Sequence, residues 1–256
     1  VFVLTYLFDC QMQGYYYKAN HLEFEYMHVE RDETGYCFVA GRGEDYRPEL
    51  SELVHIMDRK KLNQIGDDWH ALSVRWFENA KQQRGRPKIE TLRKNITNVF
   101  TNIYTKASAD ARLWTTWKEY ATLLRGNGYT KAFLSFNARS TNEYANRTAL
   151  CYCVNVFMNP YVKQYFLRRG VEVKEEEYAL AEMLQWLWRS AIRKGQKIYC
   201  YIPSYRMRSL LQTWLCHLSG GGTLEECIGR IEQKPVQQPV KRRKGAATKK
   251  TASGVA

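Results

Sequence analysis

The chain has 256 residues, 14% of them aromatic, and a net charge of +13. That length is enough to bury a sizeable core, and 18 tyrosines with 7 tryptophans exclude wholesale disorder. No apolar run reaches the length a membrane helix needs, and the cysteines at 10, 37, 151, 153, 200, 216 and 227 follow neither disulfide-framework nor zinc-site spacing.

Reduced, buried thiols in a soluble intracellular protein are therefore expected, with no membrane partner and no bound metal. Lys234, Lys241, Arg242, Arg243, Lys244, Lys249 and Lys250 all follow residue 233 with no acid among them, so the body keeps a charge of +6. A basic body points to a polyanionic partner, nucleic acid first, although solubility alone explains it as well. The apolar opening VFVLTYLF begins at Val1 without a flank, which suggests that a longer protein precedes it.

In chain order, Val1–Phe8 reads as a strand buried on both faces, Gln11–Lys18 as a helix and Leu22–Val29 as a second strand, together a β-α-β unit. A polar turn and a short strand at Tyr36–Ala40 complete residues 1–40, the first part of an α/β domain. Residues 41–112 read as a helical insertion. Its helices are expected from Pro48 to Met57, from Asp68 to Lys81 and from Ile89 to Tyr104, with a basic break at Gln82–Lys88. Structural packing is the first reading of this insertion and a nucleic-acid groove the second.

Residues 113–218 return to βα alternation. Strands are expected at Leu113–Trp117, Lys131–Phe136, Ala149–Phe157 and Lys197–Ile202. Helices are expected at Lys118–Leu124, Pro160–Arg169, across the Leu180, Leu184, Leu187 and Ala191 stripe, and at Arg206–Leu218. Residues 219–256 hold a short helix at Thr223–Ile231 and a flexible basic tail. The fold class is α/β, a mostly parallel sheet flanked by helices.

Two polar groups stand out. Gln185, Arg189 and Arg193 recur every four residues, so they share a face about 40° apart in projection on one helix. A guanidinium offers a fixed fork of donors to phosphate oxygens. A solvated face with Glu182 as partner is the plainer alternative. The second group is Asn137–Thr148, with Ser135 before it, following a presumed core strand. Ligands of open α/β sheets meet the carboxyl ends of strands, which would put Ser135, Arg139, Thr141, Asn142 and Tyr144 near a phosphate backbone. Taken alone, this segment reads first as a hydrogen-bonded loop. The histidines are dispersed, and Trp114 and Trp117 read as packing residues before base-stacking ones. The KRRK run at 241–244 reads as a backbone-binding arm, or as a nuclear import signal, in which case the protein would be nuclear rather than cytoplasmic.

These two segments occur in the order and setting found in superfamily 2 helicases, and the chain resembles the C-terminal RecA-like domain of phage- or mobile-element-type DEAD/DEAH-related members. The family's sixth motif has a glutamine or histidine, then arginines, then often a glycine before the last strand, here Gln185, Arg189, Arg193 and Gly195. Its fifth motif, a strand running into a polar loop, falls on Ser135, Arg139, Thr141 and Asn142. Trp188 stands where the family has a glycine, and the step between the arginines is four rather than three. The match covers about 113–216. It implies a motor lobe that supplies arginines to an inter-domain ATP site and contacts to nucleic acid, DNA ahead of RNA. The chain has no GxxxxGK[ST] loop and no acidic magnesium box. The resemblance therefore implies that the ATP and Mg2+ sites need a preceding N-terminal motor lobe. The alternative is a non-catalytic nucleic-acid-binding protein.

Overall fold

The computed structural model describes residues 2–3, 5–33, 35–43, 45–82, 84–105, 107–138 and 141–231; Arg139 and the basic tail lie outside the described residues. A 3-10 turn at Phe8–Cys10 leads into α1 (Met12–Ala19), and a hairpin follows, β1 (Met27–Arg31) with β2 (Tyr36–Ala40). Next, α2 (Glu49–Leu53) runs directly into β3 (Val54–Ile56), followed by α3 (Lys60–Asn63), α4 (Val74–Lys81) and α5 (Arg86–Asn98), the last extended by a π-helical turn. The remainder is β4 (Arg112–Thr115), α6 (Ala121–Leu124), β5 (Ala149–Tyr152), α7 (Pro160–Leu167), α8 (Glu175–Leu187), β6 (Ile198–Tyr201), α9 (Tyr205–Leu218) and α10 (Leu224–Gly229).

Four strands form one parallel sheet in the order β3-β6-β5-β4. Alternation along the strands divides the core in two. Leu150, Tyr152, Ile198 and Cys200 face α8 and α9 on one side, together with Leu50 of α2. Ala149, Cys151, Trp114 and Tyr201 face Phe77 of α4, Ile89, Leu92 and Ile96 of α5, and Leu124 of α6 on the other. Burial on both faces explains why Ala149–Val154 is continuously apolar rather than alternating. The result is an α/β fold with a parallel sheet between two helical layers.

Five expectations change. Among the described residues of 1–8 none is in a strand: Leu7 takes φ +54°, which interrupts an extended run, and Phe8 packs against Tyr17 and Phe24 instead. The second strand starts at Met27 and pairs antiparallel with β2 in a separate sheet, so no β-α-β unit forms. The helix expected through Met57 ends at Leu53, and Val54–Ile56 pairs with Ile198–Cys200, so the 41–112 stretch supplies an edge strand as well as helices. A three-residue strand is too short to show a period of its own.

The fourth change concerns Lys131–Phe136, which holds a 3-10 turn and a single bridge, Phe133 to Trp114. The Leu134 carbonyl there accepts from the Trp186 indole at 3.2 Å instead of joining a ladder. Finally, α8 stops at Leu187. Ser190 is extended, its Oγ donates to the Leu187 carbonyl at 2.6 Å, and the Ala191 N–H turns away to the Arg147 carbonyl at 2.9 Å. Arg193 therefore sits on a separate 3-10 turn, Ala191–Lys194, closed by Gly195 at φ +68°.

Candidate functional site

The carboxyl ends of the strands, where an open α/β sheet usually takes a ligand, are filled by the protein itself. The carboxamide of Asn155, just past β5, donates to the carbonyls of Trp69 and Ala71, both at 2.9 Å, and its backbone N–H donates to the Leu72 carbonyl. Arg206, fully buried at the start of α9, donates to Asn155 Oδ1 at 2.9 Å and to the Val156 carbonyl at 2.7 Å, and pairs with Glu176 at 2.7 Å. Its guanidinium also lies 4.2 Å from the Phe157 ring centroid. Gly66 presses against the backbone of Pro203, where a Cβ would meet the carbonyl oxygen at 2.1 Å. This end of the sheet is closed.

A cavity of about 490 Å³ opens elsewhere, beside the C-terminal end of α8. Gln185, Trp188, Arg189 and Arg193 line one side of it, Leu50 and Trp214 contribute from α2 and α9, and Tyr6, Asp45 and Arg47 come from the N-terminal segments. Although Arg193 leaves the helix, the tight turn at Ser190 keeps all three predicted residues on one wall. Gln185 Nε2 is buried there without a hydrogen-bond partner. Glu182, named as partner in the plainer alternative, is buried and is not among the cavity's lining residues.

The polar loop reaches the same place by a route the sequence did not show. Ala138 and Tyr144 pack on the α8 side of the core, and Thr148 ends at the amino end of the sheet, where its carbonyl accepts from Tyr199 N–H at 2.8 Å. The loop therefore returns toward the amino ends of the strands instead of lying beyond their carboxyl ends. Arg193 Nη1 donates to Asn142 Oδ1, and Lys194 Nζ to Asn146 Oδ1 at 2.8 Å. Ser135 is apart from this group, its hydroxyl donating to Asn137 at 2.7 Å, and Thr141 Oγ1 accepts from the Glu143 N–H at 3.4 Å. Of the predicted residues, Gln185, Arg189, Arg193 and Asn142 come together.

Four cavity residues were not anticipated: Tyr6, Asp45, Arg47 and Trp214. The Tyr6 hydroxyl donates to Asp45 and accepts from the Trp214 indole at 2.9 Å, which pins the N-terminal arm over the cavity. Burial, and then the bond to Asp45, push the Tyr6 phenol well above its ordinary value, so it remains a donor. The Trp188 and Trp214 rings meet edge to face at 5.7 Å. Guanidinia and a carboxamide in one cavity with two indoles can take a ligand that joins an anionic group to an apolar or aromatic one.

Among the described residues no helix is long and apolar enough to cross a membrane. No solved structure matches this chain. The SPbeta prophage-derived uncharacterized protein YonV of Bacillus subtilis (strain 168) is 43% identical over 217 residues, which cover 84% of this chain and 52% of that relative. The chain thus spans about half the length of the curated relative it matches. A family model described as the YonV C-terminal Rossmann-like domain matches residues 48–215, which run from the start of α2 into α9 and hold every strand of the parallel sheet. The chain belongs to the YonV C-terminal Rossmann-like domain family.

Proposed function

We propose that this domain is the C-terminal motor lobe of an ATP-dependent nucleic-acid helicase or translocase, and that Gln185, Arg189 and Arg193 form its share of an inter-domain nucleotide site. The observation that carries the reading is their convergence on one cavity wall, with Gln185 Nε2 left without a partner and Arg193 bonded to Asn142 of the polar loop. An orphaned amide donor beside two guanidinia fits a terminal phosphate group better than it fits a packed interior.

In this reading a bound nucleotide supplies a terminal phosphoryl group whose negative charge must be stabilised during transfer. Arg189 and Arg193 provide that stabilisation, and Gln185 orients a phosphate oxygen or the attacking water. The Arg193–Asn142 bond then links nucleotide state to the loop of residues 135–144, which would touch the nucleic-acid backbone, DNA ahead of RNA. The phosphate-cradling loop and the magnesium ligands would come from another part of a longer polypeptide, because the chain contains neither motif.

Two measurements test this. In the longest polypeptide carrying the domain, Arg189→Ala and Arg193→Ala should each lower nucleic-acid-stimulated ATP hydrolysis by about 10³-fold or more, the range for arginine fingers. Unchanged turnover in both sinks the proposal. In the 256-residue chain, tripolyphosphate should quench the fluorescence of Trp188 and Trp214, and Gln185→Leu should weaken that response. The second reading, a non-catalytic nucleic-acid binder, is supported by the net charge of +13. It predicts no ATPase in any polypeptide and a shallower salt dependence of DNA binding in the arginine variants.

A further inference from the structure

Charge on this protein is segregated, and a dense basic stretch among the described residues lies far along the chain from the arginine cavity. Residues 75–94, nearly all of α4, the corner and most of α5, carry Arg75, Lys81, Arg84, Arg86, Lys88, Arg93 and Lys94 against two carboxylates, Glu78 and Glu90. All seven cations are exposed. Residues 20–40, by contrast, carry Glu23, Glu25, Glu30, Asp32 and Glu33 with Arg31 as their single lysine or arginine. A surface charged only for solubility would intersperse the two signs.

The corner is rigid. Ile89, Leu92 and Ile96 are buried on one face of α5, Phe77 and Ala80 anchor α4, and Gly85 sits so close to Asn79 and Ala80 that a Cβ would meet their backbone at 2.5 to 2.6 Å. Asn95 Nδ2 also donates to the Leu62 carbonyl at 3.1 Å, which brings the exposed Arg59, Lys60 and Lys61 at the start of α3 against α5. The cations are thus held by the core of the sheet's second face, apart from the cavity, whose lining comes from α2, α8, α9 and the N-terminal segments.

We infer that this corner is a docking surface for the phosphate backbone of nucleic acid. From Arg86 to Lys94 the helix rises about 12 Å, a span that meets three to four phosphates of one strand at about 3.4 Å each. Val74 is the one large apolar side chain exposed on this stretch among the described residues. A membrane-surface helix would instead present a row of such side chains for insertion. A contact made by point charges with the backbone is independent of sequence. This inference does not rest on the nucleotide reading of the cavity.

The test uses the 256-residue chain and a fluorescein-labelled DNA duplex, followed by anisotropy at several salt concentrations. Removing Arg84, Lys88 and Lys94 together as alanines should flatten the slope of log affinity against log salt by about two to three, at roughly 0.9 per phosphate contact. Removing Arg31, Arg168 and Lys197, the same change in net charge away from the corner, should flatten it by less than one. Arg84→Lys alone should keep the wild-type slope, since a point charge serves a backbone contact. Equal slopes for the two triple variants would overturn the inference. So would loss of binding to phosphatidylserine vesicles with DNA binding intact, which would mark a lipid surface. An unaltered salt slope for Arg189→Ala in the 256-residue chain, beside lost ATPase for the same substitution in the longest polypeptide carrying the domain, separates the corner from the cavity.

Discussion

Strand β6 has an arginine near each end, and the two live in opposite circumstances. Arg206, beyond its carboxyl end, has no exposed surface, and Asn155, the Val156 carbonyl and Glu176 all engage its guanidinium. Arg193, before its amino end, is exposed at the mouth of a cavity and reaches Asn142. Burial lowers the pKa of Arg206, opposed chiefly by Glu176, a sign that the fold holds a charge that solvation would prefer outside. The same residue type is locked into the architecture where the protein supplies several partners, and stays exposed where it supplies one. In this domain the end of the sheet that usually binds is sealed, and an open cavity lies beside the α8 terminus.

The largest expected effect breaks the comparison at its buried end. Arg206→Met should cost about 3 to 5 kcal/mol, because it leaves Glu176 and Asn155 without their partner inside the protein. Arg193→Met should stay within about 0.5 kcal/mol, as exposed substitutions do. Urea unfolding of the two variants measures both. Equal losses would mean that Arg193 is as structural as Arg206, and the cavity reading would weaken with it.

The sequence made some of this contrast visible. The apolar stripe of α8 and the run Lys197–Ile202 were legible because each satisfies a local period, whereas the spacing of Gln185, Arg189 and Arg193 assumed a continuous helix that in fact ends at Leu187, and they line the same cavity by way of the turn at Ser190. Arg206 was not legible: it neighbours the inward stripe Met207, Leu210, Leu211 and Trp214, and its burial depends on Asn155 and Glu176, 51 and 30 positions away. Val54–Ile56 was hidden because a three-residue strand inside a helical pattern has no periodicity of its own. The N-terminal arm was misplaced because an apolar run alone does not distinguish a buried strand from an irregular segment packed on a helix. That error concealed Tyr6, and with it one wall of the cavity.

A smaller effect sharpens the sealed end. Gly66→Ala must displace the Pro203 carbonyl, and overpacking of this kind costs about 1 to 3 kcal/mol. At the open end, Gly195 has clear space around it but a left-handed φ of +68°. Gly195→Ala should therefore cost about 1 to 2 kcal/mol, from backbone conformation and not from contact. The two differ in their repair. Gly195→Asn should recover most of its loss, since asparagine tolerates that region, while Gly66→Asn should be worse than Gly66→Ala. If Gly66→Ala unfolds at the wild-type urea midpoint, loop 66–73 does not plug the strand ends as tightly as its packing implies.

The smallest effect concerns what covers the open end. Asp9 anchors the arm that carries Tyr6, pairing with Lys18 at 2.8 Å and with Arg42. Burial alone would raise its carboxyl, but the bonds to Lys18, Tyr26 and Arg42 outweigh burial and bring it from 3.8 down to about 2. A carboxylate depressed in the folded state adds stability that is fully present above its ordinary value and is lost as pH falls through the folded one. The arm should therefore loosen between about pH 4 and pH 2. Trp214, whose indole donates to Tyr6, reports that change in its fluorescence. Asp9→Asn should remove this step from the acid titration while leaving the Arg206 end of the sheet intact. A wild-type-like acid transition in Asp9→Asn would show that the arm is held through Tyr6, by Asp45 and Trp214. The cover over the arginines would then be set by the Tyr6 hydroxyl and its two partners, and Tyr6→Phe, not Asp9→Asn, would be the substitution that opens the cavity.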